Sequence, residues 1–182
     1  MTQADLFGAV VTADGDRDCW ATPPDWFAEI DRRFNFSLDV CALPWSAKCG
    51  SYYTPEIDGL RQDWRADAKG GAAWCNPPFS DIAPWARAAY DFSLRGLTTV
   101  CILPANRCEQ GWWQAHVGGC RNCNYGHMVH IVNQKWTICR GGYSPKAEVV
   151  AIPGRVNYVP PPGITSSGAE FPSCLAIYWG VK

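Results

Sequence analysis

The chain lacks both a secretory leader and a long apolar run. No basic segment followed by an apolar stretch opens it, and no apolar run approaches the roughly 18 residues that a membrane-spanning helix needs. We therefore expect a soluble, cytoplasmic protein with no membrane partner. In that compartment the ten cysteines are expected to be thiols, some of them metal ligands, rather than disulfides.

Glycine-rich phosphate-binding signatures are also missing. The chain contains neither G-x-G-x-x-G nor a Walker sequence. The sequence therefore gives no support for a nicotinamide or nucleoside triphosphate site.

Net charge is small, at −1, but its distribution is uneven. Residues 1–99 carry −5 and residues 100–182 carry +4. A mildly basic second half suits an anionic partner such as a nucleic acid.

Helical and strand patterns alternate along the chain. The predicted helices are 22–34, 80 or 81–95 and 109–117, the predicted strands are 36–42, 72–76, 97–105, 147–152 and 174–179, and a hairpin is predicted around 133–134. Continuous apolar strands between helices predict an α/β fold with a mostly parallel sheet covered on both faces. Residues 1–19 are expected to form a loose arm, and residues 20–182 one domain.

The most informative stretch is Asn76-Pro77-Pro78-Phe79, which follows the predicted strand 72–76. Two prolines donate no backbone N–H and hold the chain extended. The Asn76 side-chain oxygen and the Pro77 carbonyl can both accept from one NH₂ group, and such preorganised acceptors stabilise the charge that develops when an amine attacks. Phe79 offers a flat face to a nucleobase, which must leave a duplex to reach it. The alternative is a stiff turn capped by asparagine.

Three acids are candidate cofactor ligands. Asp39 lies towards the end of the predicted strand 36–42, and Asp58 and Asp63 lie in the following loop. Each can accept a hydrogen bond from a ribose hydroxyl or an adenine amine, and the alternative is a plain strand end with solvated loop carboxylates. Because ligands of parallel sheets bind beyond the carboxyl ends of strands, Asp39 and Asn76 are expected at one crevice.

A cysteine- and histidine-rich segment, residues 120–139, lies in the second half of the chain. Cys-x₂-Cys followed by histidine and cysteine is typical of a structural zinc site. The candidate ligands are Cys120, Cys123, His127, His130 and Cys139. Lys135, Arg140 and Lys146, with Trp136 and Tyr143 interleaved, suit contact with DNA. The alternative is free thiols and a solvated hairpin.

Five stretches, taken in order, resemble the phage-type DNA N-6-adenine methyltransferases, the Dam-like family. They are WATPPDWFAEIDRRFNFSLDVCA, CGSYYTPEIDGLRQDW, WCNPPFSDIAPWARAA, VCILPANRCEQGWW and AIPGRVNY. The resemblance covers residues 20–117 and 147–179 and departs at about 118–146, which is interpreted as an inserted Cys/His-rich hairpin. It implies a Rossmann-like class I methyltransferase that uses S-adenosylmethionine to methylate a flipped-out adenine in DNA, in the host cytoplasm if a phage encodes it.

The resemblance also implies roles for individual residues. Asn76, Pro77, Pro78 and Phe79 match the catalytic box. The residues implied to hold the cofactor are Thr22, Pro23, Asp39, Cys41, Ala42, Asp58, Asp63 and Trp64. Arg155 belongs to a matching Gly-Arg element and can meet a phosphate, a guanine edge or a carboxylate.

Other functions share these motifs. Cytosine N4, RNA and protein glutamine are acceptors for enzymes with related boxes. A catalytically silent DNA- or zinc-binding protein on the same scaffold is the alternative from another class.

Overall fold

The apolar stretches of the sequence form the strands of a central sheet. The computed structural model describes residues 16–119, 129–132, 135–138, 145–164 and 171–182. Its helices are α1 (Pro24–Phe34), α2 (Trp64–Asp67), α3 (Ala83–Leu94) and α4 (Gly111–His116). Its strands are β1 (Phe36–Asp39), β2 (Ser51–Tyr52), β3 (Ala72–Cys75), β4 (Thr99–Pro104), β5 (Val129–Val132), β6 (Lys135–Ile138), β7 (Glu148–Ala151) and β8 (Ser173–Tyr178).

The main sheet has six strands in the order β2-β1-β3-β4-β8-β7. The pairings among β2, β1, β3 and β4 are parallel, whereas β8 is antiparallel to both β4 and β7. The prediction of a mostly parallel sheet is therefore confirmed, with β8 as the exception. Since β4 and β7 both oppose β8, they run in the same direction, and their carboxyl ends share one edge with those of β1 and β3.

Alternate residues of the central strands build a core on each face of the sheet. On one face, Cys75 and Leu103 belong to the cluster that also contains Trp64 of α2, Ala86 of α3 and Trp113 of α4. On the other face, residues that include Trp74, Val100 and Ile102 form a cluster with Phe27 of α1. Helices thus cover both faces, as the continuous apolar strands predict.

The predicted start of the second helix is wrong. Neither Ser80 nor Asp81 caps it, because α3 begins at Ala83 after Ile82, which makes no capping hydrogen bond through its side chain. Pro84 lies in the first turn, where a missing N–H is tolerated. The polar groups of Ser80 are instead bonded to Asp18, far away in the sequence.

Two short strands flank the predicted turn at residues 133–134, which lies outside the described residues. β5 and β6 pair antiparallel, with Val132 opposite Lys135. Only the backbones of His130 and Lys135 are described. The other predicted residues of this segment, Cys120, Cys123, His127, Cys139 and Arg140, lie outside the described residues, as do residues 1–15 of the predicted arm.

The first prediction concerns Trp74, which is fully buried in β3. Its ring meets the edge or face of Phe27 at 5.3 Å and of Phe36 at 5.4 Å between centroids. Trp74→Ala should lower the free energy of unfolding by about 3–5 kcal/mol, because it removes a large buried ring and leaves a cavity. Urea unfolding followed by circular dichroism measures this loss.

Trp45→Ala is the matched control for Trp74→Ala. Trp45 is 37% exposed, so its truncation should change the free energy of unfolding by less than about 1 kcal/mol. Equal losses in the two variants would contradict the placement of Trp74 in the core.

Candidate active site

A cavity of about 270 Å³ lies where β1 and β3 end. Its walls bring together five residues singled out from the sequence, which are Cys41, Ala42, Asp58, Asn76 and Pro78. The first two follow β1 and the last two follow β3. The segments that follow β1 and β3 therefore lie at one crevice, as expected for the carboxyl edge of a parallel sheet.

The Asn76 side chain has one bonded end and one free end. Its Nδ2 donates to the Trp20 carbonyl over 2.7 Å. Its Oδ1 is buried, and no group in the described part of the chain donates to it. Because the bonded end fixes the orientation of the amide, Oδ1 is left as a buried acceptor without a donor among the described residues.

The Trp20 carbonyl is itself held in place by the neighbouring residue. The Ala21 N–H donates to the Val159 carbonyl over 2.9 Å, and the Val159 N–H donates back to the Ala21 carbonyl over 2.8 Å. This short antiparallel bridge ties the segment before α1 to the loop that follows β7. The orientation of Asn76 therefore depends on contacts between three distant parts of the chain.

Residues Asn76–Ser80 form what we call the acceptor stretch, and Pro77 and Phe79 are the residues of it that flank Pro78. Pro77 is buried, and among the described residues no donor is bonded to its carbonyl oxygen. The Phe79 ring packs edge to face against Tyr158 at 5.7 Å and against Phe171 at 5.3 Å. These aromatic contacts fix the position of the Phe79 ring.

Asp39 shapes the cavity without lining it. Its carboxylate accepts hydrogen bonds from the backbone N–H groups of Cys41, over 3.3 Å, and of Lys48, over 3.0 Å. These two bonds tie down the loop that supplies Cys41 and Ala42 to the wall. Burial raises the pKa of the Asp39 carboxyl to about 7, although the two N–H groups and the Lys48 charge favour its ionised form.

A tight turn at Asp58 and Gly59 forms the opposite wall. Asp58 has a φ of 57°, and its Oδ1 accepts from the Leu60 N–H over 3.2 Å. A Cβ atom on Gly59 would lie 2.3 Å from the Val40 carbonyl oxygen, so only glycine fits there. Trp64 supports the turn from behind, since its Nε1 donates to the Gly59 carbonyl over 2.6 Å.

Besides Asp39, four of the predicted cofactor residues do not line this cavity. Asp63 caps α2 and pairs with Arg95 over 2.7 Å, while the fully buried Trp64 stacks between Trp85 and Phe92. Thr22 is buried, and its hydroxyl has no partner among the described residues. Pro23 lies next to it and precedes α1.

Sequence reasoning missed Asp18 and Trp20, which also line the cavity. Asp18 bonds to Ser80 across 62 residues of sequence. No local spacing pattern signals such a contact. Trp20 opens the stretch that resembles the methyltransferase family, but its contribution is a backbone carbonyl, which residue type does not reveal.

The described residues contain no group of three or more histidine, cysteine or acidic side chains that could hold a metal ion. No helix among them is both long and apolar enough to cross a membrane.

The fold and the site are compatible with an amino-methyltransferase. An open amide acceptor, two prolines and an aromatic ring follow a central parallel strand, next to a cavity at the carboxyl edge of the sheet. The family model of DNA N-6-adenine-methyltransferase (Dam) matches residues 10–177, and the chain belongs to this family. Membership of a methyltransferase family implies S-adenosylmethionine as the methyl donor.

Individual relatives agree with the family match. The chain is 36% identical over 126 residues to the DNA N-6-adenine-methyltransferase of Haemophilus phage HP1 (strain HP1c1), which covers 68% of both chains. It is 33% identical over 105 residues to the DNA N-6-adenine-methyltransferase of Escherichia phage T1, or 57% of this chain and 43% of the relative. It is 42% identical over 72 residues to the putative methyltransferase YfdM of Escherichia coli (strain K12), or 37% and 74%.

The second prediction concerns the pH dependence that Asp39 gives to folding. Its pKa is about 7 in the folded protein against an ordinary value of 3.8. Between these values the folded state holds a proton that the unfolded state has lost, so the Asp39 contribution to stability falls as pH rises from about 4 to 7. Each unit of pKa difference corresponds to about 1.4 kcal/mol.

Asp39→Asn removes this titration. The free energy of unfolding of the variant, relative to the wild type, should therefore rise between pH 4 and pH 7 and stay level above pH 8. Urea unfolding of both proteins at a series of pH values measures the difference. A difference that does not change with pH would show that burial does not raise the pKa of Asp39.

Proposed function

We propose that this protein transfers a methyl group from S-adenosylmethionine to the N6 amino group of adenine in DNA, on a Rossmann-like class I methyltransferase fold. The observation that carries the proposal is the open Oδ1 of Asn76, which is buried beside the cavity while the other end of the amide is bonded to Trp20. Membership of the Dam family supports adenine in DNA as the acceptor. A phage-encoded member would act in the host cytoplasm.

The residues around the cavity fit the methyl donor. Asp58 offers a carboxylate to ribose hydroxyls, and Tyr53 and Trp85 offer aromatic surface to an adenine ring. The missing side chain of Gly59 lets this turn pack closely against the Val40 carbonyl oxygen, which a Cβ atom would approach to 2.3 Å. When bound, S-adenosylmethionine supplies an electrophilic methyl group on a sulfonium centre.

The chain's own groups position the acceptor amine. The Oδ1 of Asn76 and the carbonyl of Pro77 accept the two N6 hydrogens of adenine, which localises the nitrogen lone pair and stabilises the positive charge that develops. Phe79 stacks on the flipped base, because an adenine inside a duplex cannot reach these acceptors. As the N6–CH₃ bond forms, the S–CH₃ bond would break and the sulfur would keep its electron pair as a neutral thioether. The methylated amine is then acidic, and its extra proton passes to solvent without a dedicated base.

The third prediction concerns Asn76→Ala. The variant should lose at least about 10²-fold in the rate of methyl transfer, because an acceptor for the developing charge is gone. Its affinity for S-adenosylmethionine should change little, since Asn76 occupies only one side of the cavity. The readouts are N-6-methyladenine by mass spectrometry of digested DNA and donor binding by calorimetry.

Asn35→Gly is the control for Asn76→Ala. Asn35 is an exposed asparagine before β1, at the opposite edge of the sheet, and its φ of 53° suits glycine. This variant should keep wild-type transfer. A folded Asn76→Ala protein that no longer binds the donor would contradict the assigned role, and a methylated cytosine, RNA or protein glutamine in place of N-6-methyladenine would overturn the acceptor.

DNA binding is proposed to involve Arg155. This arginine is exposed in the loop after β7, at the same edge of the sheet as Asn76, and it forms no ion pair within the described residues. An unpaired guanidinium at this edge suits a DNA phosphate. Contacts of Lys135 and Arg140 with DNA, the inserted position of residues 118–146 and a zinc site in that segment stay predictions.

The fourth prediction separates Arg155 from other surface arginines. If Arg155 neutralises one phosphate, Arg155→Ala should reduce the slope of log K against log salt concentration for duplex DNA by about 0.9. Arg87→Ala is the control, because Arg87 lies exposed on α3 and pairs with Asp91 over 3.6 Å. Fluorescence anisotropy from about 50 to 200 mM salt measures both slopes. Equal slopes for Arg155→Ala and the wild type would exclude the phosphate contact.

A further inference from the structure

Residues 18–20 contact both ends of the acceptor stretch Asn76–Ser80. At one end, the Trp20 carbonyl accepts from Nδ2 of Asn76 over 2.7 Å. At the other end, Oδ1 of Asp18 accepts from the Ser80 N–H over 2.9 Å, and Oδ2 of Asp18 accepts from the Ser80 hydroxyl. We call the second pair of bonds the Asp18–Ser80 contact.

The acceptor stretch has few means of holding itself in place. Pro77 and Pro78 have no N–H group, and α3 begins only at Ala83. One local backbone bond, from the Asp81 N–H to the Pro78 carbonyl over 3.2 Å, is described between the stretch and the residues that follow it. Contacts from elsewhere in the chain must therefore fix its geometry, and the Asp18–Ser80 contact supplies two.

The segment that provides these contacts is itself anchored. Asp16–Cys19 forms a turn of 3-10 helix, and Ala21 pairs with Val159 through two backbone hydrogen bonds. Asp18 and Trp20 also line the cavity that is proposed to hold the methyl donor. One segment thus forms a wall of the donor cavity and holds the stretch that presents the acceptors.

We propose that Asp18 is a positioning residue that acts through Ser80 to hold Phe79 and the Pro77 carbonyl in the geometry needed for methyl transfer. This inference rests on the proposed function. A displacement of about 1 Å in an active site reduces rates by roughly 10²-fold. Loss of the Asp18–Ser80 contact is therefore expected to affect the transfer step rather than donor binding.

Four variants test the proposal in the full-length protein. Asp18→Ala should reduce kcat by about 10- to 100-fold with unchanged affinity for S-adenosylmethionine. Ser80→Ala keeps its N–H and should lose less, while Ser80→Thr keeps the hydroxyl and should retain most of the activity. The double variant Asp18→Ala/Ser80→Ala should be no worse than Asp18→Ala, because the two residues act through each other.

Asp81→Asn is the matched control. Asp81 is an exposed acid next to Ser80, and its side chain makes no hydrogen bond among the described residues. Its replacement should leave kcat and donor affinity at wild-type values. A fall in kcat equal to that of Asp18→Ala would show that the lost charge, rather than the Asp18–Ser80 contact, matters.

A second readout does not depend on activity. Hydrogen exchange of the Ser80 amide, followed by mass spectrometry of peptides covering residues 79–82 in the absence of DNA, should be faster in Asp18→Ala than in the wild type. Unchanged exchange would overturn the contact. Absence of methyl transfer by the wild-type protein would overturn the proposed function instead, and the exchange experiment would still decide whether Asp18 holds the stretch.

One other result would overturn the positioning role. Asp18 lines the cavity, so its carboxylate can also reach a cationic group of the donor directly. In that case Asp18→Ala would weaken donor binding at least about 10-fold, as expected for the loss of a charge-assisted contact, and Ser80→Ala would be silent. Unchanged donor affinity together with a loss of kcat in both single variants supports positioning.

Discussion

The hydrogen bond from Asn76 to the Trp20 carbonyl is the interaction on which the site depends. It fixes the orientation of the amide, and it leaves Oδ1 buried without a donor among the described residues. A rotated amide would present a donor where the proposed chemistry needs an acceptor. The bridge between Ala21 and Val159 keeps the Trp20 carbonyl in place. The orientation of the Asn76 amide therefore depends on the segment before α1, the end of β3 and the loop after β7.

The packing of the sheet gives this hydrogen bond a rigid base. β3 lies between β1 and β4, and its residues are buried on both faces. Trp74 packs on one face against aromatic rings, while Cys75 faces the cluster that contains α2, α3 and α4. A strand fixed in this way cannot shift without opening both cores. The residue that follows it, Asn76, therefore starts from a well-defined position.

The parts of the structure that a local pattern encodes could be predicted. Strands buried on both faces leave continuous apolar runs, and two adjacent prolines mark the acceptor stretch after β3. The direction of a strand in the sheet and the contacts between distant residues leave no such pattern in the sequence. The apolar run of β8 does not show that it is antiparallel, and Asp63-Trp64 looks like a cofactor contact although Trp64 belongs to the core behind the Gly59 turn. From the sequence, Ser80 is a plausible helix cap, since no local pattern reveals that Asp18 accepts hydrogen bonds from both its N–H and its hydroxyl.

The open acceptors after β3 have a consequence for the end of the reaction. An unmodified adenine amine carries two hydrogens and can satisfy both the Asn76 oxygen and the Pro77 carbonyl, whereas the methylated amine carries only one. One acceptor is then left without a donor in a buried place, which costs about 1–3 kcal/mol. In the proposed mechanism, the two oxygens that bind the substrate amine therefore hold its product less tightly, which favours release after a single modification and disfavours a second methyl group on the same nitrogen.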